Sequence, residues 1–177
     1  MVTRPRPWRN SGCPRPNSSR WSALSRASRR RSSKRRPLPR VAEKFLERLR
    51  RWADAREEIR AVVVVGSFAR GEARPDSDVD VVLLASEPSV YISDTTWVST
   101  FGSAKAISCE RYGRVTAVRV FYGGGLEVEF GIAPADWASA PVDPGTEEVS
   151  RHRILVLLDR DGDVTALRSG ATGPTGQ

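Results

Sequence analysis

The chain has 177 residues, 39% of them hydrophobic, and a formal net charge of +8; that is enough for one domain of ordinary size and not comfortably for two. No run approaches the eighteen or more unbroken apolar residues that a membrane span needs, and the start lacks the apolar stretch of a secretory signal, so a soluble, cytoplasmic protein is expected. The two cysteines, Cys13 and Cys109, lie far apart in regions of different composition, which argues against a disulfide framework and for a reducing compartment.

The charge is not spread along the chain. Residues 1–40 hold twelve Arg and one Lys with no acid, leaving sixteen basic against twenty-one acidic residues in the remainder. This Arg-, Ser- and Pro-rich segment has only Trp8 and Trp21 as large apolar groups and is expected to be a disordered tail, because it cannot bury enough surface to offset chain ordering. A nucleic-acid or acidic-surface arm, a nuclear address at Arg29 to Arg36, an organelle transit segment and an inert extension all fit its composition. Nucleic acid is therefore expected as a partner through the tail alone.

From Val41 the pattern changes. Val41, Phe45, Leu49, Trp52 and Ile59 recur at helical spacing among charged residues, which predicts an amphipathic helix that Pro37 and Pro39 stop from extending backwards. A strand at 61–65, a loop with a short helical turn at 66–76 and a strand at 79–84 follow. Next come a helical or irregular stretch around 89–108, a strand at 115–122, a turn at Gly123 to Gly125 and a strand at 126–132. Pro134 and Trp137 fall in a loop or short helix, with Trp137 read as core, and a last strand at 154–158 precedes a polar end. The runs at 62–65 and 81–84 are apolar at consecutive positions, so these strands are covered on both faces. The expected fold is α+β: a mixed β-sheet with helices packed on it, spanning 41–168, followed by a flexible C-terminus at 169–177.

The chemistry is concentrated in residues 66–80. In a strand Asp78 and Asp80 project to the same side about 6.6 Å apart. Two such carboxylates repel, so either one takes up a proton or a hard divalent cation sits between them. His152 is the only histidine and no cysteines pair, so an all-oxygen site suits Mg²⁺ better than Zn²⁺. Mg²⁺ also favours substrate phosphates as its remaining ligands, which points to a bound nucleotide. Gly66, at the end of a buried strand, lets backbone N–H groups approach phosphate oxygens, and Ser67 adds a hydroxyl. A site with two metal ions needs a third carboxylate. Glu127 and Glu129 share one face of the strand at 126–132, with Glu129 the preferred ligand and Glu127 the candidate base for an acceptor hydroxyl; a solvated acidic edge strand would give the same alternation. Arg70, Arg74 and Ser77 are further candidates for phosphate contact, although a charged loop is often simply solvated.

These residues carry a resemblance. GSFARG followed by SDVDVVLL resembles the signature of the nucleotidyltransferase superfamily, the DNA polymerase β-like fold, in which GS is followed after about ten residues by Asp-x-Asp on the next strand. Over residues 60–132 the chain is similar to small bacterial members, which include antibiotic adenylyltransferases and minimal nucleotidyltransferases that act as antitoxins. The resemblance implies that Gly66 and Ser67 bind the triphosphate, that Asp78 and Asp80 hold the metals, and that Glu129 is the third acidic residue. It implies transfer of a nucleoside monophosphate, usually AMP from ATP, to a hydroxyl with pyrophosphate leaving. Two Mg²⁺ ions and ATP or another NTP are the expected cofactor and donor. The C-terminal helical domain that binds the acceptor in many relatives has no counterpart in the forty-five residues after 132. A second copy of the chain, a protein acceptor or the segment around Trp137 is left to complete the acceptor side. An antitoxin that works on a toxin partner, and a nucleotide-binding module without turnover, are the alternatives.

Overall fold

The computed structural model describes residues 40–139, 146 and 153–169. The expectations for residues 1–39, for His152 and for residues 170–177 lie outside the described residues.

Helix α1 (Arg40–Asp54) buries Ala42, Phe45, Leu46, Leu49, Trp52 and Ala53, a stripe at three- and four-residue steps that faces the sheet. Val41 is 61% exposed and lies off that stripe. Ile59, expected on the helix, belongs instead to strand β1 (Ile59–Val64). The helix ends five residues earlier and the chain turns through 55–58. There the backbone bonds shorten to Arg56 N–H donating to Ala53 O and Ile59 N–H donating to Arg56 O. The β-branched residues beyond favour the extended state.

Five residues of helix, α2 (Gly66–Arg70), and a loop lead to β2 (Val79–Ala85). Then come α3 (Pro88–Ser93) and a 3₁₀ turn (Thr96–Phe101). The stretch around 89–108, expected to be helical or irregular, ends in a strand, β3 (Ala104–Tyr112), paired antiparallel with β4 (Val115–Tyr122). Next are β5 (Glu127–Pro134), a 3₁₀ turn (Ala135–Ala138) and β6 (Leu155–Asp159). The polar end forms a short helix, α4 (Asp163–Ser169), which buries Val164 and Leu167.

The six strands form one sheet in the order β3-β4-β5-β2-β1-β6. β2 and β5 run parallel and the other neighbours antiparallel, which makes the sheet mixed. Both faces carry apolar packing. On one, α1, Tyr91, Val98 and Phe101 cover Val62, Val64, Val81, Leu83, Phe130 and Ile132. On the other, Trp137, Ile154, Val164 and Leu167 pack against Ala61, Val63, Val82, Leu84 and Ala133. Trp137 is buried there as a core residue. This second apolar layer stops short of the start of β2 and the first part of β5, and the polar residues of the candidate site lie there.

Candidate active site

Asp80 is the second residue of β2 and stands directly beside Glu129 in the parallel β2–β5 register. Glu129 in turn stands beside Arg119 in the antiparallel β4–β5 register, and Glu127 beside Phe121. Partners in register share a face, so β2, β5 and β4 set Asp80, Glu129 and Arg119 in one row across the sheet. Asp78 precedes β2 on the same side. β5 lies inside the sheet rather than at its edge, and Glu129 is buried at 9% exposure, which sets aside the solvated edge strand as the origin of its alternation.

Gly66 closes one wall. Its φ is +66° and a Cβ built on it would lie 2.1 Å from Asp80 Oδ2. Only glycine brings the backbone this close to the carboxylate, and glycine alone adopts this φ without strain. The Val65 N–H donates to Asp80 O at 2.9 Å, which locks the end of β1 to β2. Next in the chain, Ser67 Oγ is buried and has no hydrogen-bond partner. A buried hydroxyl left unpaired costs about 1–3 kcal/mol and is rare.

The electrostatics single out Asp80, which is 7% exposed. Burial, reinforced by the neighbouring charges of Asp78 and Glu129, pushes its carboxyl from 3.8 up to about 7, against the opposing pull of Arg119 and Arg70. The proton uptake weighed for the Asp78/Asp80 pair thus falls on the interior member.

Arg119 was not among the residues singled out from sequence. Its guanidinium donates to Glu127 Oε1 and to Glu129 Oε2 and lies 3.6 Å from Asp78 Oδ2. A lone arginine in the apolar strand VTAVRVFY was the available signal, since a charge on an interior strand requires acidic partners. The loop candidates are engaged locally. Arg70 Nε donates to Glu72 Oε2 at 2.8 Å, and Ser77 Oγ accepts from the Arg74 N–H at 2.8 Å.

The oxygen-only donor set suits a hard divalent cation. Asp78 and Asp80 lie together, with the unpartnered Ser67 hydroxyl and the glycine-lined wall nearby. Glu129 stands beside Asp80 in register, but among the described residues no three acidic, histidine or cysteine groups converge as a metal site as they stand. Arg119 holds Glu127 and Glu129 instead.

A strand, a GS turn and an Asp-x-Asp strand in a mixed sheet are the parts of a nucleotidyltransferase. The family comparison narrows this: residues 39–170 match the family described as streptomycin adenylyltransferase, and the chain belongs to that family. No curated protein matches significantly. Among solved structures, the chain is similar to an aminoglycoside 6-adenyltransferase from Bacillus subtilis, at 14% identity and TM-score 0.44, covering 58% of this chain and 37% of that one. It is similar to a Thermotoga maritima CCA-adding enzyme complexed with tRNA, at 17% identity and TM-score 0.43, covering 85% and 34%. It is also similar to a terminal uridylyl transferase from Trypanosoma brucei with bound GTP, at 16% identity and TM-score 0.38, covering 77% and 40%. The chain thus spans a third to two fifths of the length of these proteins. Among the described residues no helix is long and apolar enough to cross a membrane.

Proposed function

We propose that this chain transfers a nucleoside monophosphate, AMP from ATP foremost, to an acceptor hydroxyl with release of pyrophosphate. The observation that carries this is the in-register pairing of Asp80 with Glu129, walled by a Gly66 backbone that no side chain could replace. Family membership supports the same reaction.

Each residue has a role in the proposal. Gly66 and Ser67 receive the triphosphate, the Ser67 hydroxyl finding there the partner it lacks within the fold. Arg70 and Ser77 flank the phosphates. Asp78, Asp80 and Glu129 would hold two Mg²⁺ ions, which supply charge neutralisation at the reacting phosphate and at the leaving oxygen. Glu127, farther along the same face, takes the proton from the acceptor hydroxyl. The acceptor oxygen forms a bond to the α-phosphorus, the bond to the bridging oxygen breaks, and pyrophosphate carries away the electron pair. A reaction that consumes ATP is assigned to the cytoplasm.

The full chain incubated with α-labelled ATP, GTP, CTP or UTP, Mg²⁺ and hydroxyl acceptors provides the test, with streptomycin first among the acceptors because of the family description. Label is expected on an acceptor from the wild type and to be lost in Asp78→Asn and in Asp80→Asn. Transfer that survives both substitutions sinks the assignment of these carboxylates.

A further inference from the structure

We propose that Arg119 is a built-in counter-cation of the carboxylate row, which a divalent cation must displace before Glu129 can join Asp78 and Asp80. The inference rests on the metal role proposed above for these carboxylates and adds what holds the row together before any ion binds.

Three observations carry it. Arg119 reaches three carboxylates from two different places in the chain: Asp78 before β2, and Glu127 and Glu129 on β5. Its side chain is only 21% exposed, so it is part of the sheet face rather than a passing surface contact. It takes Asp78, Glu127 and Glu129 and forms no ion pair with Asp80, so the carboxylate of Glu129, although beside Asp80 in register, is already engaged by the guanidinium. A guanidinium here does what a cation would do: it offsets repulsion among acids that the β2–β5–β4 register forces side by side. The two cannot be held by the same oxygens at once. Unlike a metal ion, Arg119 is tethered by a long flexible side chain and can swing outward when the carboxylates are taken.

Removing this charge should therefore strengthen cation binding. From Coulomb's law, a unit charge about 5 Å from a divalent ion in a wet cleft changes affinity by about tenfold or more. Mn²⁺ binding to the full chain, free of nucleotide, is measured by calorimetry and by electron paramagnetic resonance for wild type, Arg119→Gln and Arg119→Lys. Arg119→Gln is expected to bind Mn²⁺ about tenfold tighter, while Arg119→Lys, which keeps the charge, stays near wild type. A purely structural arginine would give the opposite: poorer folding and weaker binding in Arg119→Gln. In the wild type, a titration with diamagnetic Mg²⁺ should shift the Arg119 Nε–H resonance in step with saturation, a measurement that does not need the variants to fold. Equal or weaker Mn²⁺ binding by a folded Arg119→Gln, or an Arg119 resonance unmoved at saturating Mg²⁺, overturns the proposal for Arg119 alone. Absence of Mn²⁺ binding in wild type and both variants overturns it together with the metal role on which it rests.

Discussion

Asp80→Asn is predicted to stabilise the metal-free protein while abolishing transfer. The Asp80 carboxyl is raised from 3.8 to about 7, first by burial and then by Asp78 and Glu129. Between these two values the folded state keeps a proton that the unfolded chain has released, so stability falls as pH rises through that window and the full penalty is present above about pH 7. Roughly three units at 1.36 kcal/mol each set a ceiling of about 4 kcal/mol at pH 8. Asparagine keeps the shape and removes the charge, but its amide N–H groups also need partners, so a gain of about 1–3 kcal/mol is expected. Urea denaturation followed by tryptophan fluorescence, with a chelator present, should show wild type losing stability from pH 5 to pH 8 relative to Asp80→Asn. The difference between the two proteins should narrow toward pH 5. An Asp80→Asn protein that is less stable than wild type at pH 8, or a difference that does not change with pH, refutes the electrostatic assignment and makes Asp80 an ordinary structural acid.

The other predictions address the wall, the hydroxyl and the core. Gly66→Ala places a methyl 2.1 Å from Asp80 Oδ2 at a φ of +66°; it should cost at least about 1 kcal/mol in urea denaturation and lower kcat/KM about a hundredfold in the label-transfer assay. Ser67→Ala removes a buried hydroxyl without a partner, so the melting temperature should hold or rise while the KM for ATP increases severalfold, by the loss of roughly 1 kcal/mol of hydrogen bonding. Leu49→Ala, at a fully buried position on the sheet-facing side of α1, should destabilise by about 2–5 kcal/mol in the same denaturation assay.

The parts of the fold that were legible in sequence are those whose signal is local. The two apolar runs read as doubly covered strands because each residue of β2 is buried, whichever face it points to. The GS and Asp-x-Asp elements stood out because β1, α2 and β2 are consecutive, so their spacing in sequence is also their spacing in space. β3 escaped notice because it is an edge strand with most of its residues exposed and no alternation to mark it. Ile59 was drawn into the preceding helix because it stands seven residues after Trp52 and so continues the helical period across the turn at 55–58. The register that sets Asp80 beside Glu129 depends on a parallel pairing formed across α3, β3 and β4, and no local pattern encodes it. Arg119 depends on the same long-range register, which is why its three partners emerge only in the folded chain.

The apolar strand around Asp80 offsets what that residue costs the fold. Four carboxylates, Asp78, Asp80, Glu127 and Glu129, line this face, and Arg119 pairs with all of them except Asp80. Asp80 therefore bears the burial penalty without an ion pair to offset it, and its raised proton affinity follows. The rest of β2 supplies the opposing stabilisation: Val79, Val81, Val82, Leu83, Leu84 and Ala85 are all buried, each of the larger ones contributing about 1.5–3 kcal/mol. That sum exceeds the ceiling of about 4 kcal/mol for the Asp80 charge, so the fold holds a destabilised acid in place at neutral pH. An acid kept in this state gains most when a cation or phosphate-bound ion reaches it, and that gain is what a binding site requires of its least satisfied group. Saturating Mg²⁺ should accordingly stabilise wild type at pH 8 more than Asp80→Asn, and equal stabilisation of the two would show that the ion acts elsewhere.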